Sequence, residues 1–270
     1  ETGFEDYWRG DSNAAAGFFR VGGELRPSQQ QQFELDFGYH TLPESSRNVV
    51  LDASYTRRFE KWAVEAGFER DLRFDSYLAL VGDEIAGVSI GAARENRFYA
   101  VTSTRRGAFG ARFEPSLGWV DALGVSANPF VGLRARLEHR ILERGSVEIA
   151  PFYGLEIQHY DEDAFGFDLS GGEPYPGGYF SPRVFFEQVP GLSLDFRWGG
   201  IHHLGVSGGP ALQIVKQSVD GTRFEVGGHA RMSRVTFLTG SLYWAVDLEF
   251  SRIGEAYTRV GLATKLTFKF

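Results

Sequence analysis

The residues of this sequence best suited to nucleophilic chemistry are a few histidines and serines: His202, His203 and His229 with Ser207 and Ser233. On an extended strand a base and a hydroxyl share one face at short range only when a single residue separates them. No His-x-Ser occurs. His203 and Ser207 do share a face, but four residues of strand span roughly 13 Å, too far for a hydrogen bond. Asp161, Glu162, Asp163 and Asp168 have oxygen ligands to offer calcium, yet their Gly- and Pro-rich surroundings read as an ordinary solvated loop. The expectation is a non-catalytic protein with no metal and no cofactor. A barrel enzyme acting on lipid or lipopolysaccharide is the outlying alternative, with Ser207 as its nucleophile to test.

The stronger chemical signal is charge held on one parity. Arg112, Glu114, Arg134, Arg136, Glu138, Arg140, Glu148, Glu156, Asp195, Arg197, Tyr243, Asp247 and Glu249 each alternate with apolar neighbours. Such residues suit a hydrated surface that exchanges hydrogen bonds with a polar solute. Arg134, Arg136 and Arg140 precede a segment bearing Glu148 and Glu156, a pattern that predicts mixed-charge ladders across adjoining strands.

Only strands can hold these residues in line. Val131, Leu133, Ala135, Leu137 and Ile141 oppose Arg134, Arg136, Glu138 and Arg140, and the period of two recurs along the chain. Phe33, Leu35, Phe37 and Tyr39 oppose Glu34, Asp36, Gly38 and His40; Leu242, Trp244, Val246, Leu248 and Phe250 oppose Tyr243, Asp247 and Glu249. The first ten residues read as a short strand or a lead-in. From Val88 to Arg105 the parity slips near Asn96, which one bulged strand or two short ones would explain. Phe74 to Gly87 and Asp161 to Gly178 are aperiodic and read as long loops.

The chain has 270 residues, 15% aromatic, with 34 glycines, no cysteine and a net charge of −7. No stretch approaches the ~20 apolar residues of a membrane helix. The acidic balance argues against nucleic acid as a partner, and the missing cysteines exclude disulfides and thiol chemistry. A soluble sandwich would have to bury the apolar parity, which carries too many large aromatics for one core. Turned outward, that parity becomes a lipid band with aromatic girdles, and the charged parity lines a wet bore. The prediction is an all-β, transmembrane, antiparallel up-and-down β-barrel of about fourteen strands, twelve to sixteen being compatible, as a single domain over residues 1–270.

The last strand runs Tyr257 to Phe270 with Val260, Leu262, Thr264, Leu266, Phe268 and Phe270 on one parity. It resembles the terminal strand of bacterial outer-membrane barrels, in which Leu266, Phe268 and Phe270 would be the barrel-closing signal. With that end in the periplasm, the Phe74 to Gly87 and Asp161 to Gly178 loops lie outside, and the turns at Gly145, Gly199-Gly200 and Gly240 lie in the periplasm. The sequence opens at Glu1-Thr2-Gly3 without an initiator methionine or a signal-peptide pattern, so the expectation is a mature chain or an excised domain.

The stretch Gly177 to Trp198 begins with Tyr179-Phe180-Ser181-Pro182 and runs through Val189-Pro190 into a strand. This pattern resembles the C-terminal porin region of the bacterial cellulose synthase operon protein C family, though with fewer predicted strands than that family's barrel. The resemblance implies an outer-membrane channel exporting a cellulose-like exopolysaccharide, with no catalysis. It implies outer-membrane lipid and lipopolysaccharide around the wall, a polysaccharide substrate, and a periplasmic tetratricopeptide scaffold upstream. It also makes Tyr179, Phe180, Ser181 and Pro182 an extracellular exit motif and the thirteen charged-parity residues a glycan path. A general or solute-specific diffusion porin would have the same wall.

Overall fold

The computed structural model describes residues 2–9, 12–41, 49–72, 83–85, 88–123, 127–163, 166–167, 175–176, 181–217, 221–239, 242–253 and 257–268. Fourteen antiparallel strands dominate it. They are β1 (Thr2–Arg9), β2 (Ser12–Ser28), β3 (Gln31–Thr41), β4 (Val49–Arg58), β5 (Trp62–Leu72), β6 (Val88–Arg106) and β7 (Phe109–Leu123). The second half holds β8 (Asn128–His139), β9 (Val147–Tyr160), β10 (Val184–Trp198), β11 (His202–Gln217), β12 (Gly221–Phe237), β13 (Leu242–Ile253) and β14 (Tyr257–Phe268). After a two-residue break, Leu142–Arg144 prolongs β8 along β9.

Each strand pairs with the next, and β1 also pairs with β14, from Thr2 opposite Thr264 to Trp8 opposite Thr258. The sheet therefore closes on itself and leaves no spanning edge. Closure is what lets strands cross lipid, where an unpaired backbone amide costs several kcal/mol. The first residues are thus the closing strand rather than a lead-in. The count of fourteen agrees with the sequence pattern.

Side chains divide by parity. Leu35, Phe113, Leu117, Val131, Leu137 and Leu262 lie on the convex face and are exposed to the surroundings. Their neighbours along each strand face the bore. Trp62, Phe109, Trp198 and Trp244 form an outward aromatic row where the strands meet their short turns. Gly107 and Gly145 occupy such turns with φ of 58° and 59°, a left-handed conformation that glycine adopts without steric cost.

The strand containing Asn96 is a single one. Between β6 and β7 the register shifts between Gly91 and Arg94, so an extra residue flips the parity above that point. A short strand, Asp83–Ile85, folds back on the beginning of β6, within the stretch expected to be loop. Two-residue strands at Gly166–Phe167 and Tyr175–Pro176 pair within the other long connection. Residues 73–82 and most of 164–180 lie outside the described residues. All long connections leave one rim, the other carries only short turns, and Phe268 lies at that short-turn rim, while Thr2 stands part-way up the wall opposite Thr264 and Phe19.

Candidate functional site

The pairing register sets twelve of the thirteen residues of the charged parity on one face of the sheet, and Arg140, in the break after β8, reaches Glu143 and Glu148. Register alone explains their assembly. Glu114, Arg134 and Glu156 stand in one row across β7, β8 and β9, because Glu114 pairs with Arg134 and Arg134 with Glu156. Arg134 Nε donates to Glu156 Oε1 at 3.0 Å, and its Nη1 lies 3.9 Å from Glu114 Oε1. Glu114 is only 7% exposed and accepts at both oxygens, from Arg97 Nη1 and Arg112 Nη2, each at 2.9 Å. Arg97 continues the row onto β5, where Nη2 donates to Glu69 Oε2 at 2.5 Å. The ladder crosses five strands with alternating sign, which is how a wall can hold desolvated charge without leaving any ion uncompensated.

A second network lies nearer the short turns. Arg105 Nη2 donates to Glu138 Oε1 at 2.7 Å, joining β6 to β8 across the intervening β7. A Cβ on Gly110 of β7 would stand 2.7 Å from Glu138 Cγ, so the reach depends on the bare backbone there. Arg136 lies with its Cζ 3.8 Å from the centre of the Phe152 ring and donates to Ser193 Oγ at 2.7 Å, across β9. Arg140 Nη1 lies 2.7 Å from Glu143 and 3.6 Å from Glu148. Both predicted carboxylates of the β9 strand, Glu148 and Glu156, therefore have the arginine partners that the alternation predicts.

On the opposite part of the wall, Asp195 Oδ1 lies 2.7 Å from His203 Nε2, and Asp247 Oδ1 accepts from Arg231 at 3.1 Å. Arg197 stands opposite His203, Glu249 opposite Arg231 and Tyr243 opposite Thr267. The histidines weighed for catalysis are held by other partners than serine. His203 meets Asp195, His229 Nε2 lies 2.9 Å from Glu187 Oε1, and His202 Nδ1 lies 3.2 Å from Thr236 Oγ1. Ser207 sits opposite Ser193 and Arg231 in the register. Asp168 lies outside the described residues; the amide of Glu162 donates to Asn128 Oδ1 at 3.0 Å, tying that acidic stretch to β8.

Of the expected exit motif, Tyr179 and Phe180 lie outside the described residues, while Ser181 and Pro182 are fully buried at the head of β10. Of the terminal signal, Leu266 points outward at 62% exposure, Phe268 ends β14 opposite Leu242, and Phe270 lies outside the described residues.

Several bore residues escaped the sequence reading. Arg97 and Glu69 form one end of the main ladder, and Arg105 anchors the second. Arg97 was hidden because the bulge breaks the parity of its strand. Glu69 was visible on the polar parity of β5, but nothing in one strand reveals its partner on the next. Glu187, buried between Gln213 and His229, went unnoticed because the preceding loop blurs where β10 begins.

The family model described as the cellulose synthase operon protein C C-terminus matches residues 12–224. No curated protein matches the sequence. Among solved structures, a bacterial polysaccharide outer membrane secretin aligns over 100% of this chain and 84% of its own, at a TM-score of 0.62 and 14% identity. The transport unit of the autotransporter AIDA-I from Escherichia coli aligns more weakly, at a TM-score of 0.49 and 10% identity, over 100% of this chain and 88% of its own. At these identities the likeness is one of fold.

Proposed function

The chain belongs to the family of the cellulose synthase operon protein C C-terminus, and from that membership we propose that it is a non-catalytic channel exporting an exopolysaccharide across the membrane. It is an outer-membrane β-barrel. The observation that carries the proposal is the wall itself, an exterior of exposed apolar side chains around a bore faced with ion-paired arginines and carboxylates. A neutral glycan presents hydroxyls that both donate and accept. Arg134, Glu156, Arg136 and Asp195 supply the reciprocal groups along its path, and each contact formed replaces one with water at little net change. Arg136 stacked on Phe152 adds a flat surface for sugar faces.

The short-turn rim faces the periplasm in this reading. An upstream tetratricopeptide scaffold would meet the barrel there, because β1 runs from Thr2 away from that rim. The cargo is an unbranched, cellulose-like polymer, and Tyr179 to Pro182 mark the side on which it leaves.

The test is planar-bilayer conductance of the purified barrel with and without a soluble cello-oligosaccharide. Current that the oligosaccharide blocks in a concentration-dependent way is the expected result. Current indifferent to the oligosaccharide would make the protein a general diffusion porin. Ester hydrolysis lost on Ser207→Ala would overturn the non-catalytic reading.

A further inference from the structure

Arginines on the two faces of this barrel are treated differently. On the bore side, Arg97, Arg105, Arg134 and Arg140 are held by carboxylates. Arg57, Arg106 and Arg144 lie on the outward parity, are exposed, and have no ion pair among the described residues. Their positions are regular. Arg57 is the penultimate residue of β4, Arg106 closes β6, and Arg144 ends the extension of β8, so three successive hairpins each present one at the short-turn rim. Hairpins two strands apart lie roughly 10 Å from one another.

Each cation sits beside exposed apolar surface. Arg57 lies 5.3 Å from the centre of the Phe59 ring, which itself stacks on Trp62 at 3.9 Å. Arg106 pairs across the strand with Phe109, and Arg144 follows the exposed Ile141 and Leu142. A guanidinium just beyond an aromatic row is placed where acyl chains give way to headgroups. With no carboxylate paired to it among the described residues, its counter-charge comes from the surroundings.

We infer that Arg57, Arg106 and Arg144 form a binding belt for anionic phospholipid headgroups in the leaflet that meets the short-turn rim. A phosphodiester oxygen accepts from the guanidinium, which offers two parallel donors to it, while the acyl chains lie against Phe59, Trp62 and Phe109. The inference needs only the membrane location of the barrel and is independent of what passes through it. An acidic protein partner is the competing occupant, but the exposed aromatics beside each arginine favour an amphiphile over a solvated polypeptide.

The experiment uses the refolded barrel in vesicles of phosphatidylcholine containing either brominated phosphatidylcholine or brominated phosphatidylglycerol. Quenching of tryptophan fluorescence reports which lipid occupies the surface beside Trp62, Trp198 and Trp244. Each arginine at a charged surface corresponds to roughly a fivefold preference. The expected result is a several-fold preference for phosphatidylglycerol that falls toward unity in high salt and in the triple variant Arg57→Gln/Arg106→Gln/Arg144→Gln. The triple lysine variant keeps the preference, and unchanged heat-modifiable migration shows that all variants fold. Equal quenching by both lipids in the wild type, or a preference that survives the glutamine variant, overturns the inference.

Discussion

Arg105 reaches over Gly110 to hold Glu138 at 2.7 Å, a bond between two strands that are not neighbours in the sheet. The curvature of a closed barrel brings side chains of alternate strands together on the concave side, and a glycine on the strand between removes the obstacle. Arg136 and Ser193 also meet across a strand, there over the ring of Phe152.

Gly110→Val would place a branched side chain where Glu138 now lies. Glu138 is the far end of a flexible side chain, so it moves aside and the backbone stays. The bond to Arg105 is lost, and because Arg105 is well exposed the stability cost is at most about 1 kcal/mol. The electrical effect belongs to the carboxylate itself. Glu138→Gln removes the carboxylate beside Arg105 and Arg136, and the reversal potential in a salt gradient shifts toward anions, whereas Gly110→Val keeps every fixed charge and leaves it near wild type. An unchanged reversal potential in Glu138→Gln would mean that Glu138 does not set the charge of the bore.

Glu114 and Arg112 are bonded to each other, yet their removal should differ sharply. Glu114 is nearly buried and compensates Arg97 and Arg112 at once, with Arg134 close by. Glu114→Ala leaves Arg97 with Glu69 alone and Arg134 with Glu156 alone, and costs about 2 kcal/mol, the scale of a lost hydrogen bond between charged groups. Arg112 is 52% exposed, so Arg112→Ala costs less than about 1 kcal/mol. Urea unfolding in detergent micelles, followed by tryptophan fluorescence, measures both. Equal losses in the two variants would show that the ladder is not organised on Glu114.

How much of this was legible depends on the distance over which a contact acts. Alternation within one strand is a local property, so the outward faces of β8 and β14 could be read from residues such as Leu137 and Leu262. Adjacent-strand pairs were legible where a short turn fixes the register, as Arg140 and Glu148 show across the turn at Gly145. The parity slip near Asn96 was visible, but its origin at Gly91 to Arg94 was not, because a bulge is defined by the partner strand. Contacts that skip a strand, such as Arg105 with Glu138, depend on barrel curvature and on a small residue in between. No pattern in one strand encodes them.

The two parities of β7 give a direct test of which face meets lipid. Leu117 is outward and 58% exposed, whereas Ser116 beside it faces the bore. Leu117→Arg sets a charge against acyl chains near mid-strand and costs about 2–4 kcal/mol. Ser116→Asn adds one polar group to a hydrated face and stays within about 0.5 kcal/mol of wild type. Unfolding in phospholipid vesicles compares the two. A large loss for Ser116→Asn with little for Leu117→Arg would invert the barrel.

Removing β1 tests closure most severely. Strands β2 and β14 both run from the long-connection rim to the short-turn rim, and β1 lies antiparallel between them. If residues 1–11 are deleted, the remaining thirteen strands can close only by a parallel pairing of β2 with β14, a register that nothing in their sequences specifies. Otherwise each strand keeps a row of unpaired amides and carbonyls in lipid, at several kcal/mol per group. The truncated chain should therefore fail to show heat-modifiable migration and should not insert into vesicles. The same deletion leaves the ladder from Glu69 to Glu156 intact in sequence, so recovery of a folded, inserted barrel would mean that closure does not run through Thr2–Arg9.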